Sequence, residues 1–176
     1  MTDETRLLLI ADTHIPPRAR AMPAQVWDEV ARADVVLHAG DWIEESVLDE
    51  LEARSRRLVG VWGNNDGDAL RARLPEVARV EIDGVRIVMT HETGAARGRE
   101  RRMAAAFPDA DVLVFGHSHI PWDTVAGPET ANPGLRLLNP GSPTDRRRQP
   151  RCTLMRAVVR DGALAEVELV PVDRTP

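Results

Sequence analysis

Lysine is absent from this chain: its 23 basic residues are all arginine. That removes any lysine nucleophile, and with it the phosphate-binding P-loop, which requires one. A single cysteine, Cys152, excludes an internal disulfide and a cysteine-based zinc site. The apolar run at Arg6–Ala11 is too short for a secretory signal and ends in a charged motif. No stretch is long enough to span a membrane, so a cytoplasmic protein with no membrane partner is expected. Internal repeats, low-complexity segments and interdomain linkers are missing as well. What is present is ordinary for a globular protein: 176 residues, 43% hydrophobic and 29% charged, enough for one domain over 1–176. The net charge of −5 argues against nucleic acid covering the whole surface and leaves a local basic patch open.

The pattern along the chain alternates strand and helix first and becomes strand-rich later. Leu7–Ala11 reads as a buried strand running into Asp12-Thr13-His14. A proline-containing loop leads to a helix from Pro23 to about Arg32, then to strand Val35–His38, closed by Ala39-Gly40-Asp41. A helix over Glu44–Arg54 precedes strand Leu58–Trp62, closed by Gly63-Asn64-Asn65-Asp66, and a helical turn covers Ala69–Leu74. Val77–Ile82 and Val85–Thr90 flank Asp83-Gly84, a two-residue hairpin signal, and the second strand ends at His91. Gly94–Phe107 reads as an arginine-rich helix stopped by Pro108. Val112–Phe115 then runs into Gly116-His117-Ser118-His119, where an extended backbone would turn both histidines to one side. Strands at Trp122–Val125, Leu135–Leu138, Cys152–Arg160 and Leu164–Val172 complete the chain, the last two around Asp161-Gly162. This order suggests two packed sheets with helices outside.

Five strands therefore end in polar clusters: Asp12/His14, Asp41, Asn64–Asp66, His91 and His117/His119. Taken one at a time, each has an ordinary explanation as a turn, a cap or a packed histidine. Taken together, two carboxylates, an amide oxygen and four imidazoles exceed the four ligands of one tetrahedral zinc. They suit two divalent ions roughly 3.5–4 Å apart that share a carboxylate. His38, inside its strand, is assigned a packing or supporting role. Asp66 either orders its loop or caps the turn that begins near Gly67.

D-x-H at Asp12–His14, G-D at Gly40-Asp41, G-N-x-D at Gly63–Asp66, the strand-end His91 and G-H-x-H at Gly116–His119 resemble the five motifs of the calcineurin-like metallophosphoesterases. The chain's small size is similar to the compact bacterial and archaeal phosphodiesterase branch, to which the eukaryotic retromer subunit of the same fold belongs. Asn139-Pro140-Gly141-Ser142 resembles the turn that follows G-H-x-H in that branch, and the likeness spans about Leu7 to Val170. It implies a four-layer αββα sandwich of two mixed sheets flanked by helices, with the metals at the C-terminal edge of the strands. It also implies that Asp12, His14 and His119 hold one metal, that Asn64, His91 and His117 hold the other, and that Asp41 bridges them. Manganese is the expected ion, and zinc, iron, nickel or cobalt suit the same N/O donors.

Such a pair implies in-line attack on phosphorus by a bridging hydroxide, on a phosphodiester-containing small molecule or nucleotide. Asn64, Asn65 and Asp66 are the candidate catalytic residues. Many relatives carry histidine where this chain has Asn65, which can donate a hydrogen bond to a phosphoryl oxygen but supplies no proton at neutral pH. Substrates with good leaving groups, or water as the acid, follow from that exchange. Glu92, where the branch often has glycine, is assigned to solvent. Arg18 and Arg20 could overhang the metals, and Arg146–Arg148 could grip a phosphate or a longer anion; a solvated charge run is the plainer alternative. A binding scaffold without turnover is the competing class, and homo-oligomerisation is left open. Metallo-β-lactamases would need HxHxDH, and amidohydrolases place HxH early, often with a lysine.

Overall fold

Alternation along the central strands decides the layers. The structure, a computed structural model, describes residues 4–173; positions 1–3 and 174–176 of the expected domain lie outside the described residues. Successive side chains of a strand leave opposite faces, so strand β1 (Glu4–Ile10) serves two cores at once. Leu7 and Leu9 meet Ile87, Met89, Val112 and Val114 in the core between two sheets. Leu8 and Ile10 face the other way, onto Val26, Val30, Leu48 and Leu51 under the helices. Strand β2 (Val35–His38) repeats the rule, with Leu37 inward and Val36 outward. A third core joins Val88, Leu113 and Phe115 to Ala104 on the far side.

The first helix layer is α1 (Ala24–Arg32), α2 (Glu45–Arg54) and α3 (Asp68–Arg73). Helices α1 and α2 connect β1, β2 and β3 (Leu58–Gly60), which lie parallel, and α3 follows β3 toward the second sheet. On the other side of β1, β9 (Cys152–Arg160) and β10 (Ala163–Val172) complete a five-stranded sheet in the order β10-β9-β1-β2-β3. The second sheet has the order β4-β5-β6-β8-β7, from β4 (Val77–Ile82), β5 (Val85–Thr90), β6 (Val112–Val114), β7 (Trp122–Val125) and β8 (Arg136–Asn139). Strands β5, β6 and β8 are parallel, while β4 and β7 run antiparallel at the edges. Helix α4 (Arg99–Ala106) covers the outer face of this sheet. The result is the expected αββα sandwich. Among the described residues no helix is long and apolar enough to cross a membrane.

Three local expectations need correction. The helix expected over Gly94–Phe107 forms only as α4, because Gly94 and Gly98 take left-handed φ values of 72° and 73°. The loop they shape is held by Arg102, which donates to the carbonyls of Arg97 at 2.7 Å and Thr93 at 3.0 Å. The strand expected over Leu58–Trp62 ends at Gly60, since the Trp62 N–H leaves the ladder and donates to the Pro75 carbonyl, 3.0 Å away. The segment Gly116–His119 is not extended: His117 and His119 have φ of 71° and 59°, and the Ser118 N–H folds back onto the Gly116 carbonyl at 2.9 Å.

Candidate metal centre

The left-handed backbone region is unfavourable for L side chains by about 1–2 kcal/mol per residue. In this chain it is concentrated at one edge. Asp12, His14, Asp41, His117 and His119 all have positive φ, five of nine such non-glycine residues among those described. Hydrogen bonds between distant segments hold them there. The Asp12 N–H donates to the Gly40 carbonyl at 2.9 Å and the His14 N–H to the Asp41 carbonyl at 3.0 Å. The Ser142 hydroxyl donates to the Asp12 carbonyl at 2.7 Å, and the Asn139 amide to the Gly116 carbonyl at 2.9 Å. The turn at Asn139–Ser142 therefore clamps the loops after β1 and β6 from behind.

All seven residues expected to hold metal converge there. Ligand atoms of Asp12, His14 and His119 lie within 4.8 Å of one another, as do those of Asp12, Asp41 and His91; all five side chains are buried. Asp41 Oδ2 stands 3.3 Å from His14 Nε2 and 3.4 Å from His91 Nε2, the position a shared carboxylate requires. Asn64 Oδ1 completes the second half, 3.1 Å from His91 Nε2 and 2.8 Å from His117 Nδ1 at the exposed mouth.

The donor set fits divalent cations on its own chemistry. His91 donates Nδ1–H to the Ala39 carbonyl at 2.7 Å, and His119 donates Nδ1–H to the Asp145 carbonyl at 2.6 Å. In each neutral ring that leaves Nε2 as a lone pair turned into the centre, the usual way a metal-binding imidazole is oriented. His119 Nε2 then faces His14 Nε2 at 3.1 Å, and His91 Nε2 faces the Asn64 carbonyl oxygen. In the neutral rings these Nε2 atoms offer lone pairs to a divalent cation at the same point as the Asp12 and Asp41 carboxylates. Asp12 Oδ2 is fully buried and accepts no hydrogen bond, a costly state for a carboxylate oxygen unless a cation neutralises it.

The titrations report the same field. Burial works against the His91 cation, yet the hydrogen bond to Asp41 and the charges of Asp12 and Asp41 push its pKa up to about 9. Burial also opposes ionisation of Asp41, but the His91 contacts and the Asn65 donors hold its carboxyl well below the usual range. His119 is pulled down, chiefly by burial.

The remaining expected residues take supporting places. Asp66, one of the candidate catalytic residues, presents neither oxygen to the cleft. It accepts N–H bonds from Gly63 at 2.7 Å, Ile43 at 2.8 Å and Asp41 at 3.0 Å, so it orders the loops; Gly67, not Asp66, caps α3. Asn65 directs its side-chain amide to Asp41 Oδ2 at 2.7 Å rather than to open space. His38 stacks on Trp42 with centroids 3.5 Å apart and bonds Thr13, a packing role as expected. Glu92 is exposed, also as expected. Two residues went unread in the sequence. Arg71 lies over the Trp62 ring and donates to the Asp66 carbonyl at 2.7 Å, and Asp145 backs His119. The position of Asp145, just past the Asn139–Ser142 turn, was the signal available.

The comparisons agree with this geometry. Residues 6–162 match the profile of the calcineurin-like phosphoesterase superfamily domain. The chain belongs to that superfamily. It is 32% identical over 171 residues to a probable metallophosphoesterase of Methanocaldococcus jannaschii, covering 94% of this chain and 80% of that one. It is 24% identical over 124 residues to a phosphodiesterase of the same organism, covering 63% and 71%. The solution structure of a Thermotoga maritima protein superposes with a TM-score of 0.73 at 30% identity, over 96% of this chain and 99% of that one. Vps29 of Entamoeba histolytica, solved with zinc, shares the fold with a TM-score of 0.71 at 24% identity, over 94% and 98%. Superfamily and site together define a phosphoesterase hydrolase with a candidate metal-binding centre.

Proposed function

We propose that this chain is a dinuclear metal-dependent phosphodiesterase acting on small phosphodiesters or nucleotides, with manganese as its ion. The observation that carries the reading is the pair of buried ligand clusters, Asp12/His14/His119 and Asp12/Asp41/His91, that share Asp12 and lie side by side. An eroded, purely structural descendant would have no cause to keep every donor in place. Two divalent ions held there would supply an ionised water for in-line attack and neutralise charge on the phosphoryl oxygens.

The protein's own part is positional. Asp12, His14 and His119 would hold one ion, and Asn64, His91 and His117 the other. Asp41 would serve both, and Asp66 fixes the Asp41 backbone through its N–H. Asn65 keeps Asp41 ionised and oriented with two hydrogen bonds, and it offers no proton to a leaving group. The likeness to a named phosphodiesterase supports the diester preference.

The test strips the protein of metal and returns manganese, nickel, zinc or magnesium singly, with bis(p-nitrophenyl) phosphate and its monoester as substrates. Manganese should restore diester turnover above monoester turnover, and Asp41→Asn should lower it by about 10³-fold, the scale of losing a main electrostatic group. Undiminished turnover in Asp41→Asn refutes the reading. Tight metal binding without turnover of either ester would leave a scaffold of the Vps29 type as the function.

A further inference from the structure

Arginines divide into two populations. Those on the strands are mostly neutralised by carboxylates: Arg86 pairs with Asp111 at 2.7 Å, Arg136 with Asp123 at 2.8 Å and Arg156 with Glu29 at 2.6 Å, while Arg71, Arg99 and Arg102 on the helices are taken up by rings and backbone carbonyls. The loops after β1 and β8 differ. Segment 139–151 holds four arginines and a single carboxylate, Asp145. Among the described residues Arg20, Arg146, Arg147 and Arg148 form no ion pair.

Asp145 gathers two of these loops beside the metal centre. Its Oδ2 lies 3.4 Å from Arg18 Nε, and its Oδ1 accepts the Arg147 N–H at 3.2 Å. Its own carbonyl takes the His119 Nδ1–H. Arg18 is tied to the first cluster by its N–H bond to the His14 carbonyl at 2.9 Å. Arg147 is tied to the second by a bond from Nη1 to the His117 carbonyl at 3.3 Å. The Asp145 carboxylate thus meets the Arg18 guanidinium and only the backbone N–H of Arg147, so two guanidinium charges stand against one carboxylate and leave the rim net positive. Each has five N–H donors and uses one on the protein, so a planar fork is left for an anion. Neither touches Asp12 or Asp41, so what they grip lies outside the group that reaches the centre.

We propose that Arg18 and Arg147, held by Asp145, form a clamp for a second phosphate next to the scissile one. The substrate is then a phosphodiester carrying a further phosphate, as in a short single-stranded oligonucleotide or a nucleoside polyphosphate. This deepens the phosphodiesterase reading and rests on it for the word scissile; the clamp itself is a binding site. Arginine, always charged and bidentate toward phosphate, suits that role, and because the chain as a whole is acidic, an anion is drawn to this positive rim and not to the surface at large.

The experiment measures fluorescence anisotropy on manganese-loaded protein. Fluorescein-labelled oligothymidylates with one, two or three phosphorothioate groups, which resist hydrolysis, form one arm. Fluorescent adenosine monophosphate and a methylene-bridged diphosphate form the other. A second phosphate should raise affinity by about tenfold, the scale of one charge-assisted fork. That gain should disappear in Arg18→Ala/Arg147→Ala and persist in Arg79→Ala, a control arginine already paired with Asp109 at 3.1 Å. The log–log salt slope should become shallower by about 0.7 for each contact removed. A gain in the oligothymidylate arm alone identifies single-stranded nucleic acid as the source, and a gain in the adenosine arm alone identifies polyphosphates. No gain in the wild type, or a gain that survives the double variant, overturns the clamp. A gain without turnover of bis(p-nitrophenyl) phosphate would leave the clamp standing and refute the phosphodiesterase reading, whereas turnover without a gain refutes the clamp alone.

Discussion

The two ends of the sandwich use the same backbone conformation for opposite purposes. At one end the hairpins β4–β5 and β9–β10 turn through Asp83-Gly84 and Asp161-Gly162, with φ of 47°, 84°, 53° and 75°. Asp-Gly satisfies such turns locally, and there is room: a Cβ on Gly84 would meet nothing nearer than Gly162 Cα at 3.7 Å. At the other end positive φ falls on carboxylates and imidazoles, and the glycines between them have no spare space. A Cβ on Gly40 would come to 2.6 Å from His91 Nδ1 and 2.9 Å from the Gly63 nitrogen. The hairpin conformation follows from two adjacent residues. That of the metal edge is maintained by bonds such as Ser142 to Asp12, 130 positions apart, so the whole fold sustains it.

The largest effect should come from adding one methyl group at each end. Gly40→Ala pushes on His91 and should lower metal-restored diester turnover by about 10²–10³-fold, the scale of losing one oriented electrostatic group. Gly84→Ala is strained by its φ alone and should cost about 1–2 kcal/mol of stability with turnover retained. Steady-state kinetics and urea unfolding on both variants decide it. If Gly84→Ala cost as much activity as Gly40→Ala, the division into a local and a sustained strain would be wrong.

A second pair sharpens the contrast with one residue type. Asn139 donates to the Gly116 carbonyl at 2.9 Å and accepts from the Gly141 N–H at 2.9 Å, behind the His117–His119 loop. Asn132 does comparable bracing away from the centre, donating to the carbonyls of Phe107 at 2.8 Å and Ala110 at 2.7 Å. Each change to alanine should cost about 1–3 kcal/mol of stability through unpaired backbone groups. Only Asn139→Ala should also weaken metal binding, by about 10–100-fold as measured by competition with a chromogenic chelator. Equal metal affinity in the two variants would show that the Asn139 turn braces the fold and not the site.

What could be read from the residues follows the same line. The alternation of Leu7 and Leu9 against Leu8 and Ile10, and the Asp-Gly hairpins, are local signals that set layers and turns. The seven donors were legible because each stands at the end of an apolar run, even though no single one is diagnostic. The left-handed backbone at His117 and His119 was not legible, since nothing adjacent to them demands it; the extended geometry expected from spacing gave way to long-range bonds. The helix expected from Gly94 failed for a related reason, as Gly94 and Gly98 serve a loop held by Arg102. Asp66 could be read either as a cap or as a tether, and only the approach of the Asp41 and Ile43 amides decides for the tether.

The smallest expected effect concerns stability, and it tests whether the buried polar edge depends on a neutral histidine. His38 is fully buried; its Nδ1 accepts the Gly40 N–H at 3.2 Å, so its Nε2–H donates to the Thr13 hydroxyl at 3.1 Å. Burial first, and then the charge of His91, push its pKa down to about 3. An unfolded histidine titrates near about 6.5. As pH falls below that value the unfolded chain binds a proton that the folded ring refuses. Stability present above about pH 6.5 is therefore lost at about 1.4 kcal/mol per pH unit until the folded ring itself titrates. His91, raised to about 9 in the folded metal-free protein, works in the opposite sense, adding stability as pH falls until the unfolded ring is also protonated, and it does so equally in wild type and variant. His119, also pulled down by burial, contributes equally to wild type and variant. In chelator, urea midpoints at neutral pH and at about pH 5.5 should fall further in the wild type than in His38→Gln, by the equivalent of about 1 kcal/mol. Equal losses in the two proteins would mean that the ring takes up its proton inside the fold, and that the hydrogen bond from Gly40 does not depend on a neutral imidazole.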